Sequence, residues 1–202
     1  MTASRFSLTS ARAQPLSAGE QERVDKQLWM AAGPWRRGEE GDAAAIVRLV
    51  GEGASSNAKN KQGDPAVYWA AVNGHTAAVE ALLRLGADPN APRSDGYTAL
   101  MEAARSGHAV IVAALLQSGA AVDAVDDFGR TALVRAARNG QAECARLLLE
   151  AGAAVDAREE VEVAERMGKA EVVALLEDRL SSAEKAEWAK RKAEIAAEPD
   201  DY

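Results

Sequence analysis

Gly96-Tyr97-Thr98-Ala99-Leu100-Met101-Glu102-Ala103-Ala104 returns 33 residues later as Gly129-Arg130-Thr131-Ala132-Leu133-Val134-Arg135-Ala136-Ala137. It also stands 33 residues earlier as Gly63-Asp64-Pro65-Ala66-Val67-Tyr68-Trp69-Ala70-Ala71. Two variable residues and a glycine follow each copy: Val72-Asn73-Gly74, Arg105-Ser106-Gly107 and Arg138-Asn139-Gly140. A second apolar pattern comes next, with Val79, Leu82 and Leu83, then Val112, Leu115 and Leu116, then Ala145, Leu147 and Leu148. Each unit closes on Gly-Ala-x-x-Asn/Asp, from Gly86 to Asn90, Gly119 to Asp123 and Gly152 to Asp156. A fixed period of this length predicts stacked units, each unable to bury its apolar face alone.

The residue types explain the unit. Thr98 and Thr131 can accept from backbone N–H groups left orphaned at the start of a helix. The Ala-Ala pairs allow close approach of neighbouring helices. Gly74, Gly107 and Gly140 permit a sharp reversal between two antiparallel helices. The closing glycines release the second helix into a projecting loop.

The Gly-x-Thr-x-Leu-x-x-Ala-Ala run, the pairs Gly74-His75 and Gly107-His108, and the Gly-Ala-Asp-x-Asn ending resemble the ankyrin repeat family over roughly residues 41 to 176. The resemblance implies an all-α solenoid of helix-turn-helix units with projecting β-hairpin loops. About four repeats and a truncated C-terminal capping repeat are expected. The chain departs from the family pattern at Ala66, Ala99 and Ala132, which replace the usual Pro, and at Tyr68, Met101 and Val134, near where His is usual. Pro65 takes the Thr position in the second unit and removes its hydroxyl cap.

The expected organisation is a disordered segment 1–17, a repeat domain 18–180, and a C-terminal helix with an acidic tail, 181–202. Within the repeat domain, a capping helix and first repeat span 18–57. Repeats follow at 58–90, 91–123 and 124–156, with a cap at 157–180. Ser17 with Glu20 and Ser181 with Glu184 have capping-box spacing, so a helix should begin at each. Leu28-Trp29-Met30-Ala31-Ala32 reads as the first helix of the first unit, with Gly33 to Gly38 inserted after it. That insertion, carrying Trp35, Arg36 and Arg37, is either an added contact element or part of the cap. Glu159, Glu160, Glu162, Glu165 and Glu171 suit a polar-faced terminal cap. Trp188 and Ile195, seven apart, draw one apolar line along the last helix and favour its docking on the final repeat.

Composition narrows the function. A formal net charge of -7 argues against a general nucleic-acid or anionic-membrane binder. A single cysteine, Cys144, excludes an internal disulfide and fits a reducing compartment, so a cytoplasmic location is expected, with a nuclear one as its variant. No apolar run approaches the roughly 18 residues that cross a bilayer. The first 19 residues carry Arg5 and Arg12 and no acid, as in some mitochondrial presequences, though the weak apolar pattern favours a plain disordered terminus.

Catalysis is not expected. His75 and His108 sit at equivalent repeat positions, and the family resemblance makes that His a turn-bonding structural residue. Cys144 aligns with Ala78 and Ile111, where a buried thiol is the expectation. No phosphate loop, metal cage or acid/base pair is present, so no cofactor and no metal are expected.

Ankyrin repeat proteins usually recognise other proteins through hairpin tips and the concave side of their first helices. Carried over by position, the resemblance implies three rows of contact residues. The second unit offers Lys61, Gln62, Asp64, Val72 and Asn73, with Trp69 contributing. The third offers Ser94, Asp95, Tyr97, Arg105 and Ser106, and the fourth Asp127, Phe128, Arg130, Arg138 and Asn139. Phe128 and Tyr97 are the leading hot-spot candidates, because nothing in the repeat requires an aromatic side chain there. Phe128 could instead pack over a neighbouring hairpin. Arg105, Arg130 and Arg138, with Arg135 near, would let this face take an acidic protein segment, although Asp95, Asp126, Asp127 and Glu102 dilute that field. The expected role is a monomeric protein-binding adaptor or scaffold. The alternative is a regulatory subunit or assembly chaperone whose terminal helices also contact the client.

Overall fold

A computed structural model describes residues 15–33, 41–156 and 160–197. The expectations for the N-terminal segment before residue 15, for the insertion with Trp35, Arg36 and Arg37, and for the acidic end from Pro199 lie outside those residues. Five helix pairs follow one another: α1 (Ala18–Ala32) and α2 (Ala43–Gly51), α3 (Ala66–Val72) and α4 (Thr76–Arg84), α5 (Ala99–Ser106) and α6 (Ala109–Gln117), α7 (Ala132–Asn139) and α8 (Ala142–Glu150), α9 (Glu162–Arg166) and α10 (Ala170–Arg179). A last helix, α11, spans Ser182–Ala197. The first helices of successive pairs stack on one another from α1 to α9, and the second helices from α2 to α10, giving two layers.

The caps follow the chemistry of the sequence. Thr98 Oγ1 accepts from Met101 N at 3.4 Å and Thr131 Oγ1 from Val134 N at 3.2 Å. Pro65 offers α3 no side-chain cap. Both capping boxes form: Ser17 with Glu20 opens α1, and Ser181 with Glu184 opens α11. Gly74, Gly107 and Gly140 adopt φ of 73°, 81° and 72°, the left-handed turn that glycine allows without strain.

One core runs through the array. The paired alanines Ala70-Ala71, Ala103-Ala104 and Ala136-Ala137 are fully buried between first helices, and Leu28, Ile46, Leu82, Leu115, Leu148 and Leu176 fill the space between layers. α1 is a full first helix for the first pair, longer than its counterparts, and it packs on α2 and α3. Trp188 of α11 is buried against the same core, as docking on the final repeat requires. The loops between pairs are tight turns. Asn60 N bonds Asp64 O, Arg93 N bonds Tyr97 O and Asp126 N bonds Arg130 O, while Gly63 N, Gly96 N and Gly129 N bond back to Asn60 O, Arg93 O and Asp126 O. Among the described residues the one antiparallel bridge joins Lys59 and Pro65.

Side chains at two repeat positions tie each unit to the next. The Asn90 amide donates to Gly119 O at 3.1 Å and accepts from Ala121 N at 2.7 Å, and Asn57 does the same with Gly86 O and Asp88 N. Asp123 accepts from Ala154 N but carries no N–H to donate. In the first pair, two α1 side chains share this role, Gln21 donating to Gly53 O and Asp25 accepting from Ser55 N. The second tie is at the start of α4 and of α8. His75 Nδ1 lies 3.2 Å from Ala32 O, and Gln141 Nε2 donates to Arg105 O. These side chains press on the turn glycine of the preceding unit, so a Cβ on Gly74 would meet the His108 ring at 2.8 Å. His75 thus has a bonding partner, and His108 lies over Gly74.

Candidate contact surface

The residue directly after each hairpin glycine is Asp64, Tyr97 or Arg130, and the first two point inward. Asp64 is buried: it accepts from Asn60 Nδ2, Trp69 Nε1 and Arg93 Nε, the last at 3.0 Å. Tyr97 is also buried, which corrects its expected place as an exposed hot spot. Its ring stacks edge-on against Tyr68 at 6.2 Å, and the Arg135 guanidinium covers it at 4.7 Å. Burial, helped by nearby Glu102, pushes the Tyr97 phenol up to about 12. The line continues through Tyr68, edge-on to Trp69 at 5.7 Å, and Trp69 to Trp29 at 6.0 Å. Trp29, Trp69, Tyr68, Tyr97 and Arg135 therefore form a packed wall across successive units.

The arginines expected to gather as a positive field are mostly neutralised. Arg105 is clamped by Glu102, with bonds of 3.1 and 2.6 Å, and Ser106 donates to the same carboxylate. Arg135 pairs with Asp126, whose side chain is 1 % exposed. Burial raises the Asp126 carboxyl, but donation from Arg130 N, the Arg135 guanidinium and Phe128 N outweighs it, leaving its pKa below the usual carboxylate range. Arg130 and Arg138 have no carboxylate partner among the described residues. The expectation of a broad acidic-segment site over Arg105, Arg130, Arg135 and Arg138 thus contracts to two cations.

The outward residues cluster at the hairpin of the fourth unit. Phe128 is 71 % exposed, and the Arg130 guanidinium stacks on its ring at 4.8 Å. It does not pack over a neighbouring hairpin. Val125 is 56 % exposed on the same hairpin, and Asp127 and Arg138 are exposed as well. Lys61, Gln62 and Ser94 are exposed at the other two tips, Val72 is half-buried, and Asp95 holds its own turn by accepting from Tyr97 N. Asn73 is half-buried and donates to Gly33 O and Trp69 O, which ties α3 to α1. Asn139 is exposed and donates to Arg135 O.

Arg93 belongs to this wall and sequence reasoning missed it. It stands three before its hairpin glycine, where the other units carry Asn60 and Asp126. Those two accept from the backbone two and four residues on and so close their own turns. Arginine cannot accept, and its side chain reaches back instead to Asp64 and to the Tyr68 hydroxyl at 3.1 Å. The exchange of Asn/Asp for Arg was the available signal.

The Cys144 thiol is buried, and burial raises its pKa to about 11, so it holds its proton at neutral pH and packs as an apolar group. No curated protein matches the chain closely enough to lend it a more specific role. The family model for ankyrin repeats matches three overlapping stretches, residues 28–126, 82–159 and 107–179. These stretches run from the last turn of α1 to the end of α10, and the chain belongs to the ankyrin repeat family, whose members generally serve as protein–protein interaction modules.

Proposed function

We propose that this chain is a non-catalytic adaptor or scaffold, cytoplasmic and monomeric, that captures one partner protein on the hairpin tips and concave wall of its second to fourth units. The observation that carries the reading is Phe128: a large aromatic ring held in solvent, with Arg130 stacked across it and Val125 on the same hairpin. Exposed aromatic side chains backed by a guanidinium are the residue types that dominate binding energy at interfaces. Arg130 and Arg138, which meet no carboxylate among the described residues, favour a partner segment that sets an acidic residue beside an apolar one. The wall of Trp29, Trp69, Tyr68 and Tyr97 serves as rigid backing, since its rings pack edge-on against one another within the array.

Affinity purification with the whole chain, followed by the variants Phe128→Ala and Arg138→Glu, tests this. Each variant is expected to lose the captured partner while keeping the melting temperature of the parent. Undiminished capture by both variants would overturn the assignment of this surface.

A further inference from the structure

The C-terminal end of the array keeps a stacking site that no repeat fills. Gly168 holds the turn geometry of Gly74, Gly107 and Gly140, with φ of 67°. Over those three glycines a side chain of the following unit presses down, His108, Gln141 or Lys169, whereas none of the described residues comes within 4 Å of the position of a Cβ on Gly168. Val79, Val112 and Ala145 stand at the fourth position of their second helices and are fully buried. Val173, at the same position of α10, is only half-buried. It lines an open cleft of about 440 Å³ together with Gly168, Ala170, Ala174, Glu165 and Lys192.

Helix α11 lies over this end, and among the described side chains one buried residue anchors it. Of its side chains from Ser182 to Ala193, Trp188 alone is buried. The indole Nε1 meets no acceptor among the described residues, and a buried donor so left unsatisfied weakens the docked state. One turn on, Lys192 pairs with Glu165 of α9, with both side chains partly exposed. The helix is rich in Ala, Glu and Lys and opens with its own capping box, but its 16 residues alone make only a marginal helix in water, so undocking exposes its amides to exchange.

We propose that α11 is a displaceable latch over the vacant sixth-unit site, and that a partner helix bearing a large aromatic residue and a basic residue one turn apart competes with it for the Trp188 seat and for Glu165. The chemistry of the competitor is that of the present occupant, Trp188 and Lys192. The site uses none of the residues of the Phe128 surface, so either assignment can fail alone.

A fluorescent peptide copying residues 181–197 is the probe, added to the full-length chain and to its Trp188→Ala variant. The expected result is binding to the variant about tenfold or more tighter than to the parent, because the competing internal helix no longer holds the seat. A peptide carrying Trp188→Ala should not bind, and amide exchange of α11 in the variant chain should accelerate by a similar factor. Equal affinity for the two chains, absence of binding to either, or unchanged protection of α11 overturns the proposal. Should Trp188→Ala lower the helicity of the whole array, Lys192→Glu loosens the latch without touching the core. It must then raise binding of the same peptide, and adding Glu165→Lys must reverse that gain; failure of either overturns the proposal equally.

Discussion

Arg93 Nε donates to Asp64 Oδ1 at 3.0 Å, joining the third unit to the second by a charge pair whose acidic member is buried. The same guanidinium bonds the Tyr68 hydroxyl and lies 5.1 Å from the Tyr68 ring centre. One planar side chain thus meets a carboxylate, a phenol and a ring face. Lysine cannot reproduce that geometry. Arg93→Lys is therefore expected to lower stability by about 1–2 kcal/mol in urea unfolding, and Arg93→Ala by more, because Asp64 then keeps no cation.

Asp126 and Asn60 occupy equivalent positions and close their turns in the same way, so Asp126→Asn retains the turn and removes only the charge opposite Arg135. The expected loss at neutral pH is about 3 kcal/mol, typical for leaving one member of a buried pair alone. Because the native carboxyl titrates below the ordinary range, its contribution is complete above the unfolded Asp pKa and is lost as pH falls through the native one. Melting curves of parent and variant should converge as the medium is acidified through that window. A gap that stays constant at every pH would count against the pair as its source.

The asparagine staples invite a graded series at Asn90. Asn90→Asp keeps the acceptor for Ala121 N and loses the donor to Gly119 O, reproducing what Asp123 does naturally. Asn90→Ala loses both. The expected order of stability is parent, then Asp, then Ala, with steps of about 0.5–1.5 kcal/mol because the bonds are solvent-exposed. Equal stability of all three would show that these bonds do not hold the hairpins together.

Glycines that share a left-handed φ should differ in tolerance. Gly119→Ala meets empty space and costs only the left-handed conformation, about 1 kcal/mol. Gly74→Ala carries the same strain and also displaces the His108 ring that packs over it, so its midpoint of unfolding should fall further. Replacing both Gly74 with Ala and His108 with Ala removes the contact and should recover part of that difference.

The fold was largely legible because its information is periodic. Thr98 and Thr131 announce helix starts, paired alanines announce close helix contacts, and each such signal is repeated at one interval, so a local ambiguity in one unit is resolved by the next. The contact surface was read less well, and Tyr97 shows why. Its position in the repeat gives no hint of exposure, since Asp64 and Arg130 occupy it elsewhere, and whether a tyrosine there faces solvent depends on Tyr68 from the preceding unit and Arg135 from the following one. The pairing of Arg105 with Glu102, three residues apart on a helix, was within reach of the sequence. That of Arg135 with Asp126 required the hairpin to fold back over α7.

By itself the sequence determined the period, the helix pairs, their caps and turns, and the placing of Trp188 on an apolar line, all of which follow from residue type at short range. Tertiary structure decided which cations remain uncompensated, which aromatic ring stands in solvent, and that the turn of Gly168 has no unit packed upon it. Those outcomes depend on side chains about 30 residues apart meeting across stacked units, and on the balance of burial against charge at each meeting, which no single repeat contains.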